Sequence, residues 1–174
     1  LIDARRATRL LFSMRGNDRH AAATFWVCAE CLPMIQAAYP HARLEPEINA
    51  PDEIRAAGEW TREAAVTELI RGRLQGLGPV TARDLVESLQ IEASCVAVAL
   101  AELESEGFVL RGRFSEEAST PEALAQGDLT LEWCERRLLA RIHRYTIKTL
   151  RAEIEPVSSA DFMRFLLEWQ GVTR

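Results

Sequence analysis

The segment that most restricts how this chain can fold is LEWCERRLLARIHRYTIKTLRAEI, residues 131–154, an unbroken run with neither Pro nor Gly and a sustained helical period. At about 100° per residue, Arg137, Arg141, Arg144, Lys148 and Arg151 fall within an arc of about 80°. Five cations therefore form one stripe. The far side carries Leu138, Leu139, Ile142, Ile147, Leu150 and Ile154, so one face can enter a core while the other meets water or a polyanion. Trp133 falls on the cationic side of such a helix. An aromatic ring beside guanidinium groups offers base stacking and phosphate pairing, the two contacts that single-strand binders without sequence preference combine. The competing reading is a solvated helix face whose Trp covers a neighbouring loop.

The sum of charges gives no help to a nucleic-acid reading, because the 174 residues carry a net charge of −5. All but one of the 21 basic residues are Arg, which suits bidentate phosphate contacts and equally suits a GC-rich genome. The length allows one or two small domains, each with a core of its own. Of the four cysteines, Cys28, Cys31, Cys95 and Cys134, only the first two are close. One C-x-x-C without a second pair or a nearby His does not make a zinc site, and it reads as two buried thiols at a strand end in a reducing compartment. His20, His41 and His143 share no metal spacing, and His143, on the border of the two helix faces, reads as packed or half-exposed. No metal site is expected. With no run of 18 apolar residues and no leader, a cytoplasmic protein without a membrane partner is expected. The first residue is Leu and the chain stops just after an amphipathic segment, which reads as a piece of something longer.

Residues 1–58 read as a β-hairpin, a short helix and a Pro-rich linker. Residues 7–13 and 24–28 are apolar and β-prone, with turn residues at Arg15 to Arg19, then Leu32 to Tyr39 is helical and residues 40–58 lack periodicity. Residues 59–115 read as a winged helix. Val66, Leu69, Ile70, Arg73 and Leu74 outline a first helix. Thr81 with Asp84 caps a second, with Leu85, Val86 and Leu89 inward. Val96, Ala99, Leu100 and Leu103 line a third, stopped at Gly107, and residues 108–114 alternate as a strand. The third helix holds Glu92, Glu102, Glu104 and Glu106 and no Arg or Lys, so it would repel phosphates instead of lying in a groove. Contacts from this module would come from the wing through Arg111 and Arg113, or the module is a packing platform. Residues 116–130 form an acidic loop. In residues 131–174 the basic helix leads past Pro156 into a further helical segment capped by Ser158 and Asp161, a candidate second winged helix, whose Phe162, Phe165, Leu166 and Trp169 read as core. The fold class is α+β and mostly helical.

Four strings carry a likeness to a known family: Leu77-Gly78-Pro79-Val80-Thr81; Glu106-Gly107-Phe108-Val109-Leu110-Arg111-Gly112-Arg113-Phe114; the stretch from Trp133 to Thr146; and that from Glu155 to Leu166. Together with Trp26-Val27-Cys28-Ala29-Glu30, they resemble the large helicase-related (Lhr) family of bacterial superfamily 2 DNA repair helicases, in the region after the two ATPase lobes and the first winged helix. The resemblance implies an accessory domain that clasps the single strand along which an ATP-driven motor moves 3′ to 5′. It also implies ATP and Mg in the parent motor, with none bound here, since the chain has neither G-x-x-x-x-G-K-[ST] nor D-E-x-H. The expected partners are single-stranded DNA or a DNA/RNA hybrid and the ATPase lobes of the same parent chain.

The expected contact residues are thus Trp133, Arg137, Arg141, Arg144, Lys148, Arg151, Arg111 and Arg113, with Trp26 as a second stacking candidate if Phe25 and Val27 point inward; no catalytic residue is assigned. Two other functions stay open. A tandem winged-helix DNA glycosylase module would need a flipped base and a carboxylate such as Glu132 or Glu135 to activate water. A structural or partner-docking module would suit the acidic third helix.

Overall fold

The computed structural model describes residues 6–13, 22–56 and 58–172. These form an α+β, mostly helical fold with two three-stranded antiparallel sheets, and the chain parts into two compact units between Leu138 and Leu139.

In the larger unit, β1 (Ala7–Ser13), β2 (Ala22–Cys28) and β3 (Arg43–Glu45) pair in the order β2-β1-β3. The turn expected at Arg15 to Arg19 lies outside the described residues. Alternation along the strands buries Thr8, Leu10 and Val27 and leaves Arg9, Thr24 and Trp26 exposed. Leu32 and Ile35 of α1 (Leu32–Ala38) close this core with Ile48 and Ala50. The presumed linker 40–58 is therefore structured. It supplies the third strand, the short α2 (Asp52–Ala56), two buried anchors, and the Pro46 carbonyl that accepts a bond from Thr8 Oγ1 at 2.5 Å. Its apolar residues are too widely spaced to show a period, yet Ala42, Leu44, Ile48 and Ala50 all pack in this core.

The helices α3 (Arg62–Leu74), α4 (Ala82–Leu89) and α5 (Ala93–Ser105) bury Val66, Ile70, Leu74, Leu85, Leu89, Val96, Ala99, Leu100 and Leu103 in one cluster, as their spacing requires. The cap on α4 is reciprocal. Asp84 N–H donates to Thr81 Oγ1 at 3.2 Å and Thr81 N–H to Asp84 Oδ2 at 2.9 Å. After α5 the chain turns at Gly107, whose φ of +70° favours Gly. The second sheet has the order β4-β6-β5, formed by β4 (Val80–Thr81), β5 (Val109–Gly112) and β6 (Glu132–Glu135).

The position of β6 corrects the sequence reading, in which residues 132–135 began the basic helix. They are instead the middle strand, paired through Val80↔Trp133 on one side and Val109↔Glu135 to Gly112↔Glu132 on the other. Those partners lie twenty or more residues upstream, beyond the reach of any local period. The acidic stretch between β5 and β6 also has structure: it contains α6 (Pro121–Ala125) between two 3-10 turns and buries Ala118 and Ala123.

The helix α7 (Arg136–Ala152) follows β6 directly and runs on into the smaller unit, which adds α8 (Ser159–Trp169). Asp161 N–H donates to Ser158 Oγ at 3.1 Å, the expected cap. Neither helix buries a residue. The stripe read as core is open: Phe162 is 51% exposed, Phe165 57% and Trp169 73%, with only Leu166 half-buried. On α7, Ile142 and Leu150 are likewise exposed, while Leu138, Leu139 and Ile147 are half-buried. Two helices of 17 and 11 residues supply too little chain to enclose each other's apolar faces.

Candidate nucleic-acid interface

Trp133 does not lie on a helix. As the central residue of the second sheet it is half-buried against the helical core, and its cross-strand neighbour is Arg111. The Arg111 guanidinium carbon stands 5.6 Å from the indole centre, within cation–π range, and Arg111 Nε also pairs with Glu104 at 3.5 Å. Arg113 Nη2 donates to the Gly127 carbonyl at 3.1 Å, tying the β5–β6 connection to its own base. The two expected wing cations thus have internal partners.

The carboxylates weighed as catalytic are structural in their contacts. Glu132 Oε2 accepts the Phe114 and Ser115 N–H groups at 2.6 and 2.9 Å, holding the chain as it leaves β5. Glu135 accepts Arg137 N–H at 3.0 Å and Leu138 N–H at 2.6 Å. It therefore caps α7 with a negative charge at the positive end of the helix dipole. A Glu ahead of two Arg residues was the available signal for that cap, but it was hidden inside an assumed helix.

The cations of α7 behave differently. Arg137 belongs to the larger unit, and Arg141, Arg144, Lys148 and Arg151 to the smaller one. All five are exposed, and among the described residues none has an ion-pair partner. Elsewhere Arg6, Arg9, Arg71, Arg83, Arg111 and Arg164 are each paired with a carboxylate. From Arg141 to Arg151 the open row extends about 15 Å at 1.5 Å per residue. Tyr145, which sequence reasoning passed over, is 72% exposed, four residues after Arg141 and three before Lys148. It is the aromatic neighbour of the cationic row that Trp133 was expected to be; the i, i+4 spacing from Arg141 was the missed signal. His143 is exposed, not packed or half-exposed.

Trp26 is 63% exposed because Val27 turns into the core and Phe25 is half-buried. It lies on the first sheet across from Arg9, which is held by Glu45 at 3.3 Å, so the structure does not bring it together with Trp133. The acidic residues of α5 serve local ties. Glu102 accepts from Thr67 Oγ1 at 2.8 Å, and Glu106 pairs with Arg71 at 2.7 Å. Cys28 and Cys31 are exposed rather than buried, because the strand alternation turns Cys28 outward and Cys31 sits in the following turn. Cys134 is buried, and that burial pushes its thiol up. Among the described residues no helix is long and apolar enough to cross a membrane.

No protein-family model matches the chain, and no solved structure matches it. The similarity found is to a helicase. An "Lhr helicase/ probable uracil glycosylase" of Mycolicibacterium smegmatis is 24% identical over 155 residues, which cover 88% of this chain and 9% of that protein. The likeness to that Lhr helicase takes in both units described above, and it concerns a small part of the longer protein.

Proposed function

We propose that this chain is an accessory nucleic-acid-binding region of an Lhr-type helicase, gripping the single strand along which a motor moves during DNA repair. The observation that carries the proposal is the open row of Arg141, Arg144, Lys148 and Arg151 with Tyr145 beside it, four cations along one helix with no ion-pair partner among the described residues. Unpaired guanidinium groups next to an exposed ring suit phosphates and unstacked bases, without reading sequence. The similarity to an Lhr helicase favours the same reading.

Residues 59–115 are read as a winged helix, to whose sheet β6 adds a strand between β4 and β5 after the α6 connection. Its α5 is acidic and engaged with its own neighbours, so this copy serves as a platform and does not probe a major groove. ATP and Mg belong to a motor outside this chain: the only Lys is Lys148, in mid-helix and far from any glycine-rich loop. Glycosylase chemistry is not part of the proposal, because Glu132 and Glu135 are held by backbone N–H groups. The test is titration of labelled single-stranded DNA, a DNA/RNA hybrid and duplex DNA at low salt. Saturable, salt-sensitive binding that favours the single strand or hybrid is expected; no binding at low salt overturns the proposal.

A further inference from the structure

The C-x-x-C at the end of the first hairpin plays no part in these surfaces, yet its geometry is that of a pair able to close. Cys28 ends β2 in an extended conformation (φ −81°, ψ 152°), Cys31 is helical (φ −88°, ψ −4°), and the Leu32 N–H bonds back to the Ala29 carbonyl. One 3-10 turn therefore separates the two residues. A four-residue turn keeps its outer Cα atoms within about 7 Å, and disulfides span about 4.4–6.8 Å between Cα atoms. Cys28 lies close enough to push the Cys31 thiol up. Both are exposed, so a small reagent can reach them, whereas Cys134 is buried and Cys95 partly so.

We propose that Cys28 and Cys31 form a reversible dithiol–disulfide pair, oxidised by exchange with a low-molecular-weight disulfide of the glutathione class. The Cys28 thiolate attacks one sulfur of the small disulfide, whose S–S bond breaks, and one small thiolate leaves. Cys31 then loses its proton to water, attacks the Cys28 sulfur of the mixed disulfide and expels the second small thiolate. Two protein thiols are oxidised, one small disulfide is reduced to two thiols, and the two protons reach those products through solvent.

The order of attack follows from the nearness of the thiols. In the reduced pair the nearness of Cys28, helped by partial burial and the nearby charge of Glu30, pushes the Cys31 thiol up to about 11. Cys31 is then a poor nucleophile near neutral pH. Capping of Cys28 removes the largest cause, and Cys31 becomes able to resolve the adduct. Nearby charge sets the direction of the equilibrium. Glu30 stands between the two residues in sequence, and Arg6 is occupied by Glu30 at 2.9 Å. The Glu30 carboxylate opposes a thiolate on Cys31, and a dithiol whose reduced form gains little such stabilisation makes a disulfide that resists reduction.

The experiment equilibrates the whole 174-residue chain with graded mixtures of reduced and oxidised glutathione, quenches in acid, alkylates with a maleimide and maps the masses. Loss of two alkylation sites, mapped to an internal Cys28–Cys31 bond, is expected, with Cys95 and Cys134 still alkylated after denaturation. Cys31→Ser should accumulate a glutathione adduct on Cys28. Wild-type chain that accumulates stable single adducts without an internal bond overturns the proposal, as does a Cys31→Ser variant that takes up no glutathione on Cys28. Cys31 is exposed, so its substitution should not disturb the fold.

Discussion

Replacing Arg141 and Arg144 together with Ala tests the open cationic row most directly. Each phosphate contact to a single strand contributes about 0.7 to the slope of log affinity against log salt. The four cations of the row in the smaller unit thus set a ceiling of about 2.8, and the double variant should lose about 1.4 of it. Between 50 and 200 mM salt this corresponds to a loss of affinity of about 50-fold for the parent chain and about 7-fold for the variant. Both side chains are exposed and unpaired, and Ala is a strong helix former, so the melting temperature should not fall. The assay is anisotropy of a labelled oligodeoxythymidine, titrated at four or more salt concentrations with thermal melts run alongside. An unchanged slope and affinity in a folded variant would refute the reasoning and leave the row as a solvated helix face.

The three aromatic candidates should separate by what else they do. Tyr145→Ala and Trp26→Ala, both at exposed positions, should leave stability intact, and whichever ring stacks should cost about 1–3 kcal/mol of binding with the salt slope preserved. Trp133→Ala should lower the melting temperature as well, by about 2 kcal/mol of stability for a half-buried indole, and a variant as stable as the parent would contradict its packing against the core. Gly107→Ala should cost about 1–2 kcal/mol, since its φ is +70° and the added Cβ would lie 3.3 Å from the Arg136 guanidinium; an unchanged denaturation midpoint would show that the turn relaxes freely. Alkylation of Cys31 should keep rising with pH from 9 towards 11. Its raised thiol supports the native state below about pH 9, and that support disappears as pH climbs through the folded value; a profile levelling near pH 9 would deny the shift.

Legibility in the sequence followed the range of the interactions involved. The inward residues of α3, α4 and α5 and the Thr81–Asp84 cap could be read because each depends on neighbours within a turn or two. The exposure of Trp26 could be inferred because strand alternation is equally local. β6 could not, since Glu132 to Glu135 lie in a stretch that satisfies a helical period, and only pairing with Val80 and with Val109 to Gly112 makes them a strand. The capping role of Glu135 was lost with that boundary. The open faces of α7 and α8 were misread for a related reason: an apolar stripe reports that a surface wants cover, and cannot report whether the chain in hand provides it.

The same limit applies to charge, and there it bears on the site. Spacing alone made the cations of the α7 stripe and those of the wing equivalent candidates. Pairing separates them. Arg111 is divided between Glu104 and the Trp133 ring, and Arg113 is held by Gly127. To bind a phosphate, either would have to give up a contact that holds the second sheet, and part of the gain would be cancelled. Arg141, Arg144, Lys148 and Arg151 face no such loss, because they give up only water. A chain with net charge −5 can therefore still attract a polyanion at one face, since its acidic residues neutralise arginines elsewhere and leave this helix uncompensated. On that argument, adding carboxylates opposite the row, as in Thr149→Glu, should weaken DNA binding more than an equal charge added on α5, although the net charge changes alike. Equal effects in a salt-controlled titration would mean that the total charge, and not this helix, governs the encounter.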